Sequence, residues 1–193
     1  MIIGVLALQG AFREHIEILK KLSIEAKEIR CIHDLDNIDG LIIPGGESTA
    51  IGKLLVELNI KNKLKDMIKN GFPVFGTCAG MIILAKKLTN DNLQHLGVLD
   101  IEVKRNAYGR QLGSFITMGH FDGIDGEVQM VFIRAPYIEK VGKDIKILSI
   151  VDNNIVAARS KNILVTSFHP ELTKDTRVHQ YFLNMCKKES STN

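Results

Sequence analysis

The ten-residue stretch 71–80, with the sequence GFPVFGTCAG, constrains the fold of this chain more than any other segment. Its apolar run at 73–75 predicts a buried parallel strand, and helix-compatible residues begin directly after Cys78, so the chain must turn sharply there. Gly76 and Gly80 lie two residues on either side of Cys78, which is the G-x-nucleophile-x-G pattern of a nucleophile elbow. Glycine is expected at both positions because a strand that turns directly into a helix leaves no room for side chains beside the nucleophile.

Two interpretations of Cys78 are open at this point. As a nucleophile, its sulfur would stand above the carboxyl edge of the sheet and at a helix N-terminus, where the dipole and free N–H groups favour the thiolate. As a structural residue, it would be a small buried side chain at a tight turn, as free cysteines often are. The pentapeptide alone does not decide between them, so the rest of the chain has to.

The length and composition predict a soluble globular protein with one domain over residues 1–193. Apolar residues make up 45% of the chain and charged residues 24%, and the net charge of +3 gives no case for nucleic acid or an anionic membrane. The three cysteines are an odd number and widely spaced, which argues against a disulfide framework and fits a reducing cytoplasm. The apolar start lacks a basic segment and predicts a first strand, not a signal peptide.

Apolar runs alternate with helical patterns through the first half of the chain. Strands are predicted at 2–8, 25–29, 40–43 and 73–75, and helices at 12–22, 48–58, 61–70 and after Cys78. Ser48 or Thr49 is expected to cap the second of these helices. This alternation predicts an α/β domain with a largely parallel sheet.

The pattern changes beyond residue 90, where short β-rich segments are separated by polar or glycine turns. They occur at 98–104, 114–120, 128–133, 145–151, 155–159 and 163–168. Such spacing predicts antiparallel hairpins that extend the sheet or pack beside it. A helix at 175–188 is expected to close the fold.

The late segment 167–171, SFHPE, supplies a candidate base for a cysteine nucleophile. If the segment is extended, alternate side chains face the same way, so His169 and Glu171 project together and the carboxylate can orient the imidazole. The segment also follows an apolar strand, where active sites of parallel sheets gather. The alternative is a solvated surface pair without a role. The remaining histidines have no comparable partner in the sequence and are interpreted as structural or surface residues: His15, His33, His95, His120 and His179.

The segment 44–48, PGGES, is the third candidate element. It ends a buried strand and opens a helix, so its backbone N–H groups can point into the same cleft. Gly46 is expected to offer one oxyanion donor, and the N–H of Ala79 the other. An ordinary strand-to-helix turn would have the same sequence. No metal-ligand spacing occurs, because Cys31 and His33 alone are too few for a site, and neither a metal nor a cofactor is expected.

Taken together, these motifs resemble those of class I (triad) glutamine amidotransferases. More narrowly, the chain resembles the family of glutaminase subunits of pyridoxal 5′-phosphate synthase, over residues 3–182. The triad motifs are shared with other amidotransferases, whereas RNAYGRQ at 105–111 and FIRAP at 132–136 point to the narrower family. The chain has Ala107-Tyr108 where that family is expected to have Ser-Phe. The resemblance implies a three-layer α/β sandwich with a mostly parallel central sheet and a smaller antiparallel β portion.

The same resemblance assigns the site residues. It implies that Cys78 is the nucleophile, His169 the base and Glu171 the residue that orients it. It places the binding of L-glutamine on Gly46, Glu47, Ser48, Arg105, Ile133 and Arg134. An arginine can grip the α-carboxylate of glutamine in a charge-assisted pair, although a solvated cation at a strand end is the commoner arrangement for either arginine alone. The implied partner is the barrel-shaped synthase subunit, which receives the ammonia and without which the glutaminase is weak.

Two other classes of function fit the same residues. One is a glutaminase that serves a different synthase, or a stand-alone cysteine hydrolase of the same fold. The other is a non-catalytic binding subunit, for which the Cys78→Ala substitution would change nothing. Glutamine turnover with and without the synthase subunit distinguishes the first alternative from the implied function. Labelling of Cys78 by a glutamine-mimicking electrophile distinguishes an enzyme from a binding subunit.

Overall fold

The computed structural model describes residues 1–89, 91–105 and 113–190, without the side chains of 188–190. Within these ranges the strands are β1 to β12 in chain order: Ile2–Leu6, Glu25–Ile29, Gly40–Ile43, Val74–Thr77, Ala85–Leu88, Leu99–Lys104, Ser114–His120, Glu127–Ile133, Tyr137–Val141, Lys146–Val151, Asn154–Arg159 and Ile163–Thr166. The helices are α1 to α5: Phe12–Lys21, Ser48–Glu57, Ile60–Lys69, Ala79–Leu84 and Arg177–Ser190. Two short 3₁₀ helices lie at Ile32–Leu35 and Pro170–Leu172.

The main sheet has the strand order β2-β1-β3-β4-β12-β11-β9-β6-β5, and β10 pairs with β11 outside this path. The first five strands in that order run parallel. From β11 onwards the pairing is antiparallel, except between β5 and β6. Strands β7 and β8 form a separate antiparallel pair. The predicted antiparallel segments therefore do both things that the sequence allowed, since some extend the sheet and two pack beside it.

The sheet buries a different set of side chains on each face, because successive residues of a strand point in opposite directions. In β3, Leu41 and Ile43 face the apolar cluster that contains residues of α2, α3 and α4. Ile42, between them, belongs to the cluster that contains residues of α1 and α5. The central strands are thus buried on both sides, which explains their continuous apolar sequences. The expected three-layer α/β sandwich with a mostly parallel sheet is confirmed.

Two strands were not predicted, and one local prediction is wrong. The apolar run after Cys78 is helical as expected, but α4 ends at Leu84 and the chain continues as the unpredicted strand β5. Strand β9 was not expected at all. The N-cap of α2 is Glu47 and neither Ser48 nor Thr49, because the Glu47 carboxylate accepts the N–H groups of Thr49 and Ala50. A carboxylate satisfies these orphan donors as a hydroxyl would.

Three general properties bear on the chemistry. None of the helices within the described ranges is long and apolar enough to cross a membrane. All three cysteines are free, with Cys31 exposed and Cys78 and Cys186 buried. Among the described residues, no group of three or more His, Cys, Asp or Glu side chains could hold a metal ion.

Candidate active site

Neighbouring parallel strands bring the predicted elements to one edge of the sheet. Strand β4 lies between β3 and β12, and Thr77 pairs with Thr166 at its end. Cys78 follows β4, the glycine pair Gly45-Gly46 follows β3, and His169 follows β12. Because the carboxyl ends of parallel strands lie at the same edge, residues more than 120 apart in sequence are adjacent in space.

The elbow at Cys78 is a real backbone feature. Cys78 has φ 48° and ψ −101°, and its N–H donates to the Thr166 carbonyl at 2.8 Å. A non-glycine residue in this region is strained, and such strain clusters at functional sites. The predicted crowding is also present, since a Cβ on Gly80 would lie 2.1 Å from the Ile43 carbonyl oxygen, and one on Gly76 would lie 2.7 Å from the Gly80 backbone. The thiol itself is buried, with 8% of the residue exposed.

His169 and Glu171 form a buried pair. His169 Nδ1 lies 2.6 Å from Glu171 Oε1, and the two residues are 6% and 5% exposed. The route to this contact differs from the prediction, because the Glu171 segment is a 3₁₀ helix and not an extended strand. Burial lowers the pKa of His169, but its interactions with Cys78 and Glu171 outweigh burial and raise that pKa to about 10. The His169 ring therefore carries a positive charge beside the sulfur.

Helix α4, which follows Cys78, contributes a weaker dipole at the sulfur than the sequence suggested. Helix α4 has only six residues, so few peptide dipoles align behind the elbow. The positive charge next to the sulfur therefore comes mainly from the His169 imidazolium. The pair with Glu171 matters for this reason, because it holds that charge in place.

The glycine turn after β3 packs directly against the histidine. A Cβ on Gly45 would lie 2.2 Å from His169 Cε1, so only glycine allows the ring to approach. The Gly45 N–H donates to Thr77 Oγ1 at 3.0 Å, and the Glu47 N–H donates to Gln9 Oε1 at 2.7 Å. Among the described residues, no hydrogen-bond acceptor is recorded for the Gly46 N–H between them, or for the N–H of Ala79.

Strand β8 closes the site from the other side. Its last residue, Ile133, places its carbonyl oxygen 4.0 Å from Cys78 Sγ. The His169 N–H donates to the Val131 carbonyl at 2.8 Å, which ties the same strand to the histidine. Arg134 follows with φ 45°, and its N–H donates to the Gly113 carbonyl at 2.5 Å. Ile133 and Arg134, which were predicted to bind glutamine, thus lie next to the Cys78 thiol.

Arg105 approaches Glu47, which follows the glycine turn, and is already paired with carboxylates. Its guanidinium is 3.3 Å from Asp91 and 3.9 Å from Glu47. The side chains of Glu47 and Arg105 are 52% and 31% exposed, whereas Ser48 is buried at the start of α2. The hydrogen bond from Thr49 is the largest influence on the pKa of Glu47, which is lowered, with Arg105 contributing. The remainder of the predicted motif, 106–111, lies outside the described residues.

The site also contains residues that sequence reasoning missed. The prediction that the other histidines lack partners is wrong for His15 and His179, which are fully buried and hydrogen-bond each other. His15 Nε2 also approaches Thr77 Oγ1 at 3.2 Å and Glu171 Oε2 at 3.5 Å. Gln9 could have been found, because it follows β1 at the same sheet edge. No sequence signal marked the histidine pair.

The described residues also form clefts elsewhere on the surface. One of about 540 Å³ lies beside β5, β6 and β9 and is lined by Lys86, Lys87, Gln94, Asp100, Ile101, Glu102, Lys140, Val141 and Gly142. Its lysines pair with its own carboxylates at 3.1–3.3 Å. Exposed ion pairs of this kind are weak, and three lysines against two carboxylates leave one excess positive charge in the cleft.

Comparison with known proteins identifies relatives that match nearly the whole chain. The PdxT subunit of pyridoxal 5′-phosphate synthase from Streptococcus pneumoniae serotype 2 is 54% identical over 98% of this chain and its own full length. The same subunit from S. pneumoniae strain CGSP14 is also 54% identical, over 98% of this chain and 99% of its own. A crystal structure of a glutamine amidotransferase superposes with a TM-score of 0.93 at 46% identity, covering 97% of this chain and all of that one.

A more distant structure supports the fold alone. PurLQS from Thermotoga maritima has a TM-score of 0.72 at 16% identity, over 95% of this chain and 97% of its own.

The model of the SNO glutamine amidotransferase family matches residues 5–188. Nearly the whole described fold therefore falls within one family model. This chain belongs to the SNO glutamine amidotransferase family.

Proposed function

We propose that this chain hydrolyses the side-chain amide of L-glutamine to L-glutamate and ammonia, with Cys78 as nucleophile, His169 as acid and base, and Glu171 as the residue that orients His169. The observation that carries the proposal is the meeting of these three side chains at one sheet edge, with His169 bonded to Glu171 and its pKa raised by both neighbours. This arrangement of nucleophile, base and orienting acid is the logic of a catalytic triad.

The reaction follows in two halves. The Cys78 thiolate attacks the amide carbon of glutamine and forms a tetrahedral oxyanion, and the His169 imidazolium then protonates the departing nitrogen as ammonia leaves. The product of this half is a glutamyl thioester. Neutral His169 next removes a proton from water, which attacks the thioester carbon. Glutamate leaves, and the Cys78 thiolate and the His169 imidazolium are restored.

The oxyanion needs donors where its charge develops. We assign this role to the N–H groups of Gly46 and Ala79, for which no hydrogen-bond acceptor is recorded among the described residues. An oxyanion donor is typically worth about 3 kcal/mol of barrier. Gly46 is held on both sides, since Gly45 is bonded to Thr77 and Glu47 to Gln9.

The substrate is proposed to bind beside the Cys78 thiol. Gly46, Glu47, Ser48, Ile133 and Arg134 are proposed to line the binding site, and Arg105 is proposed to bind the α-carboxylate of glutamine. The pairs of Arg105 with Asp91 and Glu47 are partly exposed and worth about 0–1 kcal/mol each, so a substrate carboxylate can compete for the guanidinium. Glu47 keeps its N-cap hydrogen bonds from Thr49 and Ala50, and its remaining lone pairs can accept a hydrogen bond from the substrate ammonium group.

The ammonia needs a recipient. In water it is protonated and lost as a nucleophile, so the product is useful only if a partner receives it directly. Because the pneumococcal relatives are subunits of pyridoxal 5′-phosphate synthase, we assign the same assembly to this chain, in which ammonia passes to the barrel-shaped synthase subunit. The free cysteines fit a reducing compartment, the cytoplasm, for the pair.

The test is ammonia release from glutamine, with and without the synthase subunit. Wild-type protein is expected to turn over glutamine and to do so faster with the synthase, whereas Cys78→Ala falls by at least about 10³-fold. Cys31→Ala is the matched control, because Cys31 is exposed and outside the site. Turnover unaffected by the synthase would favour a stand-alone hydrolase, and wild-type protein with no turnover in either condition would favour a binding subunit.

A further inference from the structure

One oxygen of Glu171 is not accounted for by the triad. Oε1 bonds His169, but Oε2 is buried and has no hydrogen-bond partner within the usual geometric limits among the described residues. An unpaired buried carboxylate oxygen is costly and leaves the group free to rotate about its last bond. The nearest polar atom recorded for it is His15 Nε2, at 3.5 Å.

His15 has a fixed place in the interior. It lies on α1 and is fully buried, with Nδ1 2.9 Å from His179 Nε2 and Nε2 3.2 Å from Thr77 Oγ1. Burial is the main cause that lowers the pKa of both histidines, that of His179 to about 3. Both rings are therefore neutral, and each carries one N–H.

The contacts of His15 select its tautomer. If Nε2 carried a lone pair, that lone pair would face the Glu171 carboxylate at 3.5 Å, and the two would repel. If Nε2 carries the hydrogen, it is shared between Thr77 Oγ1 and Glu171 Oε2, and Nδ1 accepts from His179 Nε2–H. His179 Nδ1, which has no partner among the described residues, is then an acceptor and not an orphaned donor. This arrangement leaves the Thr77 hydroxyl hydrogen without an acceptor among the described residues, whereas the other tautomer leaves the His179 Nδ1–H without one, so the repulsion from the Glu171 carboxylate decides between them.

We propose that His15 is a positioning residue for the catalytic carboxylate, held in its tautomer by His179 and aiming its Nε2–H at Glu171 Oε2. At 3.5 Å this is a weak electrostatic contact outside the usual hydrogen-bond geometry, but both side chains are fully buried, where such a contact is screened little. It fixes the plane of the carboxylate whose other oxygen holds His169. This role rests on the proposed glutaminase function, and it concerns a residue that touches neither substrate nor thiol.

Two amide variants separate positioning from packing. In His15→Gln the side-chain amide reaches about as far as Nε2 and can still donate to Glu171. In His15→Asn the amide reaches only to the Nδ1 position and cannot. Leu19→Ala is the matched control, since Leu19 is buried one turn further along the same helix and outside the site.

The measurements are kcat and KM for glutamine with the synthase subunit present, the rate of Cys78 alkylation by iodoacetamide, and the folded fraction. The His15→Asn variant is expected to lower kcat and the alkylation rate by about 10–100-fold and to keep KM within about twofold of wild type. The reason is that a misplaced triad slows the reaction without weakening substrate binding. Gln is expected to restore most of the rate, and Leu19→Ala to lose stability but not kcat.

Three outcomes would overturn the proposal: equal kcat for Asn and Gln in folded protein, a loss in Leu19→Ala as large as in Asn, or failure of both amide variants to fold. The last result would assign His15 to the fold and not to the triad. Glutamine turnover absent from every protein, with the Asn–Gln difference still present in alkylation, would overturn the glutaminase function and leave the positioning role supported.

Discussion

The Gly45 N–H donates a hydrogen bond of 3.0 Å to Thr77 Oγ1, so the residue before the nucleophile holds the turn that carries Gly46. Thr77 is fully buried and lies on β4, while Gly45 follows the neighbouring strand β3. Replacing the hydroxyl by a methyl group would leave a buried N–H without an acceptor. The position of one proposed oxyanion donor therefore depends on a side chain that does not touch substrate.

For this contact we expect Thr77→Val to lower the free energy of unfolding by about 1–3 kcal/mol, the typical cost of an orphaned buried donor. Its glutaminase activity should also fall, because Gly46 is no longer fixed. Thr77→Ser keeps the hydroxyl and should retain most of both properties. Urea unfolding and glutamine turnover check this, and equal behaviour of Val and Ser variants would refute it.

The elbow makes a second prediction about stability. Gly80→Ala places a Cβ 2.1 Å from the Ile43 carbonyl oxygen, a backbone atom that cannot move aside cheaply. We expect a loss of about 1–3 kcal/mol, as for other overpacked sites. Gly113→Ala is the control, because a Cβ there meets nothing within 4 Å. If thermal unfolding showed the same shift in both variants, steric crowding at the elbow would not be the cause.

The charge on His169 predicts a pH dependence of stability. Its pKa of about 10 lies above the ordinary value of 6.5, so between these values the folded state holds a proton that the unfolded state releases. The stabilisation is therefore complete below about pH 6.5 and is lost as pH rises towards 10. In Glu171→Gln this loss should be smaller, because a cause of the raised pKa is gone.

Urea unfolding at pH 6, 8 and 10 measures the difference between the two proteins. Glu14→Gln removes a carboxylate from an exposed position of α1 and serves as the control. Its alkaline loss of stability should match that of wild type. A Glu171→Gln protein whose stability declines as steeply as that of wild type would contradict the raised pKa of His169.

The proposed role of Arg105 predicts an effect on substrate binding. Arg105→Met should raise KM for glutamine by roughly 10- to 100-fold with little change in kcat, because a charged hydrogen bond is typically worth about 1.5–3 kcal/mol. Arg13→Met removes the same charge from an exposed position of α1 and should leave KM unchanged. Steady-state kinetics with the synthase subunit present distinguish the two, and an unchanged KM in Arg105→Met would remove Arg105 from the binding site.

Much of the fold was predictable from local patterns. The continuous apolar run that forms β3 and the spacing of Gly76, Cys78 and Gly80 depend only on neighbouring residues, and β3 and the turn at Cys78 appeared as expected. The end of the helix after Cys78 was not predicted. The run after Cys78 suits a helix as well as a strand, and pairing with β6 decides that residues from Ala85 onwards extend.

Sequence patterns alone were enough to establish the α/β class, the sharp turn at Cys78 and the residue types that a triad needs. Three-dimensional packing was required to show that His15 and His179, separated by 164 positions, share a hydrogen bond beneath Glu171, and that Gln9 and Thr77 hold the glycine turn. Short-range patterns are encoded by neighbours along the chain, whereas contacts between α1, α5 and the strand ends exist only once the layers have packed. The residue types that the chemistry needs are visible in local sequence patterns, whereas the positions of those residues in space are set by the packing of the layers.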